Sequence, residues 1–277
     1  MTLLSIDWNV SSEIFTIFDF PIRWYGVLFA SGFLIGQFIL AHIYRKEGIP
    51  ESDLDSLMLY MVLSTVIGAR VGHYLFYEYQ QLFQDPFAWF LSMITPPFSG
   101  LASHGATVGI LTGLWLYAKS KKQNFFWVVD RVVIAVAMSG CLIRLGNLMN
   151  SEIVGKPTDV AWAFNFLKNT EYYPIVPRHP SQLYEAISCF VLCILLFIIW
   201  NKYKQNTPHG LLLGIFLIWI FGLRFFYEFL KENQEAFENT MTYNMGQLLS
   251  IPAVMLGMIC LWFASKKKTG AYVNENN

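Results

Sequence analysis

The chain has 277 residues, of which 55% are hydrophobic, 17% aromatic and only 14% charged. A soluble domain carries roughly a quarter of its residues as charges, so this composition points to a polytopic membrane protein. The formal net charge of zero excludes nucleic-acid binding by bulk electrostatics.

The first segment, Met1–Phe20, mixes Trp, Ile and Phe with a few acids and suits an arm lying in the membrane interface. A spanning helix needs about 20 mostly apolar residues. Seven such runs follow: Ile22–Tyr44, Leu54–Tyr77, Gly100–Ala118, Phe125–Met149, Pro180–Trp200, Gly210–Leu230 and Gly246–Ala264. They are long and continuous, without the ten-residue alternation of a barrel, so helices are expected. The first run lacks a small-residue cleavage motif and is expected to stay as an anchor, not to be removed as a signal peptide. Residues 150–179 are long enough for a small external head. Cys141, Cys189, Cys193 and Cys260 all lie in apolar runs with no metal spacing and read as apolar fillers.

Loop charge orients the spans. Arg45 and Lys46 follow the first, Lys119, Lys121 and Lys122 the third, Lys202 and Lys204 the fifth, and Lys266, Lys267 and Lys268 the seventh. The opposite side has only Lys156, Lys168, Arg178 and Lys231, and the loop Glu78–Ser99 has none. The positive-inside rule therefore puts the C-terminus in the cytoplasm and the N-terminus outside. The expected fold is all-α: one integral-membrane domain over 1–277, a bundle of seven transmembrane helices with an external arm over 1–21 and an external head over 150–179.

Arg23, Arg70, Arg131, Arg144 and Arg224 remain at or inside the spans. An arginine at the centre of a span costs about 2.5–3.5 kcal/mol, so such residues face the bundle interior and meet an anion. The orientation places Arg70, His73, His104, Arg144, His179, Gln182, Glu185, Arg224 and Glu228 in the outer half, with Arg23 and Tyr25 level with them. Only Asp130 and Arg131 fall at the inner end. There, Asp130 is expected to pair with a nearby lysine, and Arg131, like Arg23, to snorkel to headgroups.

Spacing sharpens this picture. Arg144, Asn147 and Ser151 share a helical face, and Gly140 and Gly146 allow close approach by another backbone or a ligand. Arg224 and Glu228, four apart, fit either a structural ion pair or a ligand clamp. Near Arg144 the sequence offers amides and hydroxyls more than a carboxylate, which leaves the guanidinium for an external anion. At the outer leaflet that anion is a lipid phosphate, whose geometry a guanidinium matches with two parallel hydrogen bonds. Physics alone thus leaves an enzyme or a lipid transporter. A transporter site would sit at the midplane between inverted repeats, and no repeat is visible. An intramembrane serine protease is a further alternative, but Ser103 and His104 are adjacent and no Gly-x-Ser-x-Gly context surrounds them.

The run from Ile143 to Gly155 resembles the signature Gly-Arg-x-Gly-Asn-Phe-x-Asn-x-Glu-x-x-Gly of prolipoprotein diacylglyceryl transferases. "RWYG" (Arg23–Gly26), "GARVGHYLFY" (Gly68–Tyr77), "SHGA" (Ser103–Ala106), "RHPSQLYE" (Arg178–Glu185), "LRFFYEF" (Leu223–Phe229) and "MGQLLSIP" (Met245–Pro252) extend the likeness along nearly the whole chain. Ile143 and Leu148 stand where the signature has glycine and phenylalanine. Ala106 replaces the second glycine of "HGG" in many members, and Ile220 replaces a tyrosine, so no tyrosine role carries over there.

The resemblance implies an inner-membrane, multi-pass bacterial enzyme acting at the outer (periplasmic) leaflet. Such an enzyme moves the diacylglyceryl group of phosphatidylglycerol to the lipobox cysteine of a prolipoprotein and releases glycerol phosphate. It implies Arg144 at the headgroup phosphate, Arg224 as a second essential arginine, and His104 as general base, with Glu152 as the alternative base. Imidazole exchanges protons near neutral pH, which suits the task. Tyr25, Asn147, Glu152 and Gly155 match further family residues, expected to bind headgroup hydroxyls and position the arginines. Glu228 is expected to orient Arg224, and Arg70, His179, Gln182 and Glu185 complete the candidate substrate site. No metal or nucleotide is called for.

Overall fold

The computed structural model describes residues 5–18, 20–95, 100, 102–232, 238 and 241–266. Lys267, Lys268 and the first four residues of the expected arm lie outside them. The long helices are α1 (Trp24–Glu47), α2 (Glu51–Phe76), α5 (Ser103–Ser120), α6 (Phe125–Met149), α7 (Ser181–Tyr203), α8 (Leu211–Tyr227) and α9 (Met245–Lys266). Two short helices, α3 (Tyr79–Gln84) and α4 (Pro86–Ile94), join α2 to α5. Among the described residues, six helices are long and apolar enough to cross a membrane. The third expected span, α5, is not among them, because His104, Lys119 and its serines, threonines and glycines lower its hydropathy. Phe38, Leu59, Val108, Ile198 and Met255 are all more than half exposed on their helices. So much outward apolar surface is stable only against lipid.

The chain is a mostly helical, polytopic membrane protein, but among the described residues four short strands lie outside the helices. β1 (Ile6–Trp8) pairs in parallel with β4 (Phe164–Phe166), and β2 (Glu13–Ile17) forms an antiparallel hairpin with β3 (Phe20–Arg23). An all-α reading misses them, because strands of three to five residues are too short for a period-two pattern to register.

The described residues divide into two compact units, one within 5–43 and 130–266 and the other within 44–129. In the second unit α5 returns antiparallel beside α2. A Cβ on Gly68 would sit 2.5 Å from the Gly105 carbonyl oxygen, and one on Gly72 would sit 2.5 Å from the Gly105 Cα, so the two backbones touch. The ion pair Lys121–Asp53 (2.7 Å) and the hydrogen bond between the Tyr44 and Tyr117 hydroxyls (3.1 Å) close the other end of this pair.

In the first unit α8 and α9 pack with Gly214 against Gly257. Asp130 and Arg131 are both fully buried, which corrects the expected lysine partner and the snorkelling. The Asp130 carboxylate accepts the Gly210 and Leu213 backbone N–H groups (2.7 and 2.9 Å), capping the start of α8. The Arg131 guanidinium donates to the Lys204 carbonyl (3.1 Å) at the end of α7. Anion at a helix start and cation at a helix end both match the helix dipole. Arg23, in contrast, is exposed and lies 3.7 Å from Glu13 across the hairpin.

Candidate active site

The arginine of the signature sits one turn and a half before the end of α6. Arg144 Nη1 donates to Asn147 Oδ1 (3.3 Å), as their shared face requires. The helix ends at Met149, and Ser151 and Ile153 take left-handed backbone angles (φ 54° and 56°) that fold the chain back. This return lets Asn147 Nδ2 and Asn150 Nδ2 donate to the Glu152 carboxylate (2.7 and 3.3 Å). Two hydrogen bonds from the first turn of α7 pin the turn: Gln182 Nε2 to the Glu152 carbonyl (2.6 Å) and Ser181 Oγ to the Ile153 carbonyl (2.9 Å).

Both signature glycines serve close approach. A Cβ on Gly146 would meet the Tyr25 ring at 2.8 Å, so the neighbour this glycine admits is the tyrosine that opens α1. A Cβ on Gly155 would strike the His179 Cβ at 2.5 Å and the Leu230 carbonyl oxygen at 2.9 Å, so this backbone is wedged between the start of α7 and the end of α8. Arg178 locks the wedge, donating to the Gly155 carbonyl (3.1 Å) and to Glu232 (2.6 Å). His179 Nδ1 lies 3.1 Å from the Tyr184 hydroxyl, and burial lowers the His179 pKa from its ordinary 6.5.

The head, over 150–179, has a core of its own in Leu148, Val154, Phe164 and Phe166. Trp8 stacks on Phe164 and donates to the Leu148 carbonyl (3.0 Å), tying the arm to the signature. Leu148, which replaces the family phenylalanine, thus belongs to this core. Ile220, which replaces the tyrosine, packs on Cys141, Ala186 and Cys189.

Arg144 does have a carboxylate, contrary to the expectation from its sequence neighbours. Its Nε lies 2.5 Å from Glu185 Oε2 on α7, with the N–H directed off the oxygen. Glu185 Oε1 contacts Lys231 Nζ, and Lys231 Nζ also lies 3.4 Å from Glu228 Oε1. Arg224 Nε is 3.4 Å from the same Glu228 oxygen, again outside hydrogen-bond geometry. Asn244 Nδ2 holds the other Glu228 oxygen at 3.0 Å. The two arginines are therefore joined through three intervening charges. The side chains of Glu185, Glu228 and Lys231 are buried, whereas Arg144 is 27% exposed and Arg224 41%. The guanidiniums alone keep an open side.

Lys231 is the residue that sequence reasoning missed. It counted as a loop charge, yet its side chain is 2% exposed. The available signal was its spacing of three from Glu228, one turn past the arginine motif. Nearby, an open, mostly apolar groove of about 380 Å³ runs between α7 and α8, lined by Tyr184, Ile187, Val191, Trp219, Leu223 and Tyr227.

Tyr25, Arg144, Asn147, Glu152, Gly155, His179, Gln182, Glu185, Arg224 and Glu228 all belong to the first compact unit. His104 and Arg70 belong to the second. His104 is exposed in the first turn of α5, beside the glycine that rests on α2, and has no hydrogen-bond partner among the described residues. The Arg70 guanidinium is committed to protein oxygens, donating to the carbonyls of Ser92 and Met93 (both 2.9 Å) and to the Tyr74 hydroxyl (3.3 Å).

Fold and site together define a polytopic membrane protein that holds two part-exposed guanidiniums on a buried carboxylate–ammonium scaffold. The sequence model of the prolipoprotein diacylglyceryl transferase family matches residues 12–263, and the chain belongs to that family. It is similar to a phosphatidylglycerol–prolipoprotein diacylglyceryl transferase of Bacteroides fragilis, 43% identical over 96% of this chain and 98% of the relative. Enzymes of the same name from Chloroherpeton thalassium (41% identical, 95% of each chain) and Aeromonas hydrophila (32%, covering 94% of this chain and 92% of the relative) are also similar.

Proposed function

We propose that the protein transfers the diacylglyceryl group of phosphatidylglycerol to the lipobox cysteine of a prolipoprotein. The observation that carries this reading is the pair of part-exposed arginines held by buried carboxylates, on residues that match the family's motifs.

The reaction is substitution at a glycerol carbon. The cysteine thiol gives up its proton, its sulfur forms a bond to that carbon, and the carbon–oxygen bond to phosphate breaks. The electron pair leaves with glycerol phosphate. A thiolate is the nucleophile, so a base is required. His104 fills this role, with Glu152 as the alternative. Arg144 and Arg224 hold the phosphate and stabilise the charge that grows on the departing oxygen, where fixed donors act most strongly out of water. Asn147 and Glu152, tied by a 2.7 Å bond, present the amide and carboxylate for headgroup hydroxyls. Tyr25, over Gly146, closes this side, and Gly155, His179 and Gln182 hold the Glu152 turn in register. Glu185 and Glu228 orient the arginines. Arg70 acts indirectly, fixing the end of α4 to α2. The groove between α7 and α8 is apolar and borders the helix of Arg224, which suits a donor acyl chain.

The expected topology is seven spans with the N-terminus outside, α5 being the third, and the site at the periplasmic leaflet of the inner membrane. Loop charge supports the orientation, and the antiparallel return of α5 along α2 supports counting it as a span. The exposed Phe15, Ile17 and Phe18 of the hairpin suit seating in the interface.

The test is transfer by purified protein in detergent to a lipobox peptide, with phosphatidylglycerol or phosphatidylethanolamine as donor. Thioether formation and glycerol phosphate release are expected with phosphatidylglycerol alone. Absence of both would reject the enzyme and favour a transporter, which releases no glycerol phosphate.

A further inference from the structure

Lys231 lies just beyond the end of α8, where its backbone bridges Gly155. Its side chain is almost wholly removed from water, and its ammonium touches both Glu185 and Glu228. A buried ammonium is costly unless it is paired, and well-packed apolar residues usually stabilise a fold as well as a buried ion pair does. Stability alone therefore gives little reason for a charge here.

The arrangement gives another reason. Each carboxylate that touches Lys231 also approaches an arginine: Glu185 approaches Arg144, and Glu228 approaches Arg224. Charges alternate without a break along Arg144, Glu185, Lys231, Glu228 and Arg224. Glu152 reaches this chain only through Asn147, and its carboxylate is held by amides. Were Lys231 neutral, each of the two buried carboxylates would face its arginine as its only cation among these five residues. An incoming phosphate would then have to compete with a full carboxylate charge at each guanidinium.

We infer that Lys231 is a positioning residue for the diacylglyceryl donor: it takes up charge from Glu185 and Glu228, so that Arg144 and Arg224 are oriented by these carboxylates without being neutralised by them. The anion so admitted is a phosphodiester headgroup. This rests on the reading of the two arginines as the phosphate-binding pair.

The test compares wild type, K231M, K231R and K231M/E185Q in detergent, with phosphatidylglycerol titrated against a fixed lipobox peptide. Size exclusion and thermal melts report folding. K231M is expected to raise KM for phosphatidylglycerol about tenfold, within the usual range for residues coupled in one ion-pair network, with a smaller change in kcat. K231R keeps the charge and should recover most of the loss. K231M/E185Q removes one of the two competing carboxylates with the ammonium and should bring KM at least about threefold below that of K231M. If K231M does not fold, this charge-balanced double variant carries the test.

A wild-type KM in K231M, a loss confined to kcat, or a double variant with KM still raised about tenfold would each overturn the inference. R144A, run in parallel, separates the two readings. If R144A is inactive and K231M has a wild-type KM, only the role of Lys231 fails. If R144A is fully active, the phosphate reading itself fails.

Discussion

Replacing Arg144 by lysine or alanine separates the shape of its side chain from its charge. The guanidinium reaches two protein groups, Glu185 from Nε at 2.5 Å and Asn147 from Nη1 at 3.3 Å, and keeps an exposed side, where phosphate is proposed to bind. Lysine keeps the charge but not the planar fork. It can hold one partner and approach the phosphate as a point charge, at the loss of one charge-assisted hydrogen bond. Such a bond is worth about 1.5–3 kcal/mol, which becomes a roughly ten- to hundredfold fall in kcat/KM if the bond is made in the transition state. Alanine removes the donor entirely. Loss of one preorganised donor on a developing anion typically lowers kcat about 100- to 1,000-fold, and here Glu185 also loses a cation. R144K should therefore lie between wild type and R144A. Transfer of radiolabelled diacylglyceryl to a lipobox peptide, with thermal melts to confirm folding, measures both. Wild-type transfer by R144A would refute the clamp, and wild-type transfer by R144K would refute the need for a fork.

His104→Gln should abolish the ascending limb of the pH–rate profile if imidazole takes the thiol proton; an unchanged profile with undiminished rate would exclude it as base and leave Glu152. Asp130→Asn weakens two bonds at the start of α8 and should cost about 1.5–3 kcal/mol, read as a lower Tm in detergent while KM for phosphatidylglycerol stays unchanged. Gly105→Ala forces a methyl against the backbone of α2, 2.7 Å from the Gly72 Cα; about 1–3 kcal/mol of destabilisation is expected, with a loss of transfer as the helix carrying His104 shifts. His179, its pKa lowered by burial, favours a folded head with neutral imidazole. Its contribution is whole above the ordinary histidine pKa and is lost as pH falls, because the unfolded segment then binds more protons. Hydrogen-exchange protection over 155–180, taken relative to the intrinsic rate at each pH, should fall from about pH 7.5 to about pH 5.5, and His179→Gln should remove that dependence.

Much of this was written locally in the chain. Long apolar runs mark membrane helices because lipid leaves the backbone few other choices, and every helix above fourteen residues falls on an expected span. The pairing of Arg144 with Asn147 follows from their spacing of three, as does the approach of Arg224 to Glu228 from four, since helical periodicity is a local rule. The signature and the flanking motifs made the family legible before any coordinate was known.

Other features arise only when separate helices meet. No periodicity links Glu185 to Arg144, or Asp130 to the start of α8, because which faces touch depends on how side chains pack between helices. A local reading therefore left Arg144 without a carboxylate and sent Arg131 to the headgroups, although both are held by partners distant in the chain. Lys231 looked like any loop lysine, and burial alone reveals its part between two carboxylates. The sequence by itself determined a membrane protein of this family and the residue types of its candidate site. Only the tertiary structure decided how the two arginines are joined, because compensation of buried charge is settled by packing and not by spacing.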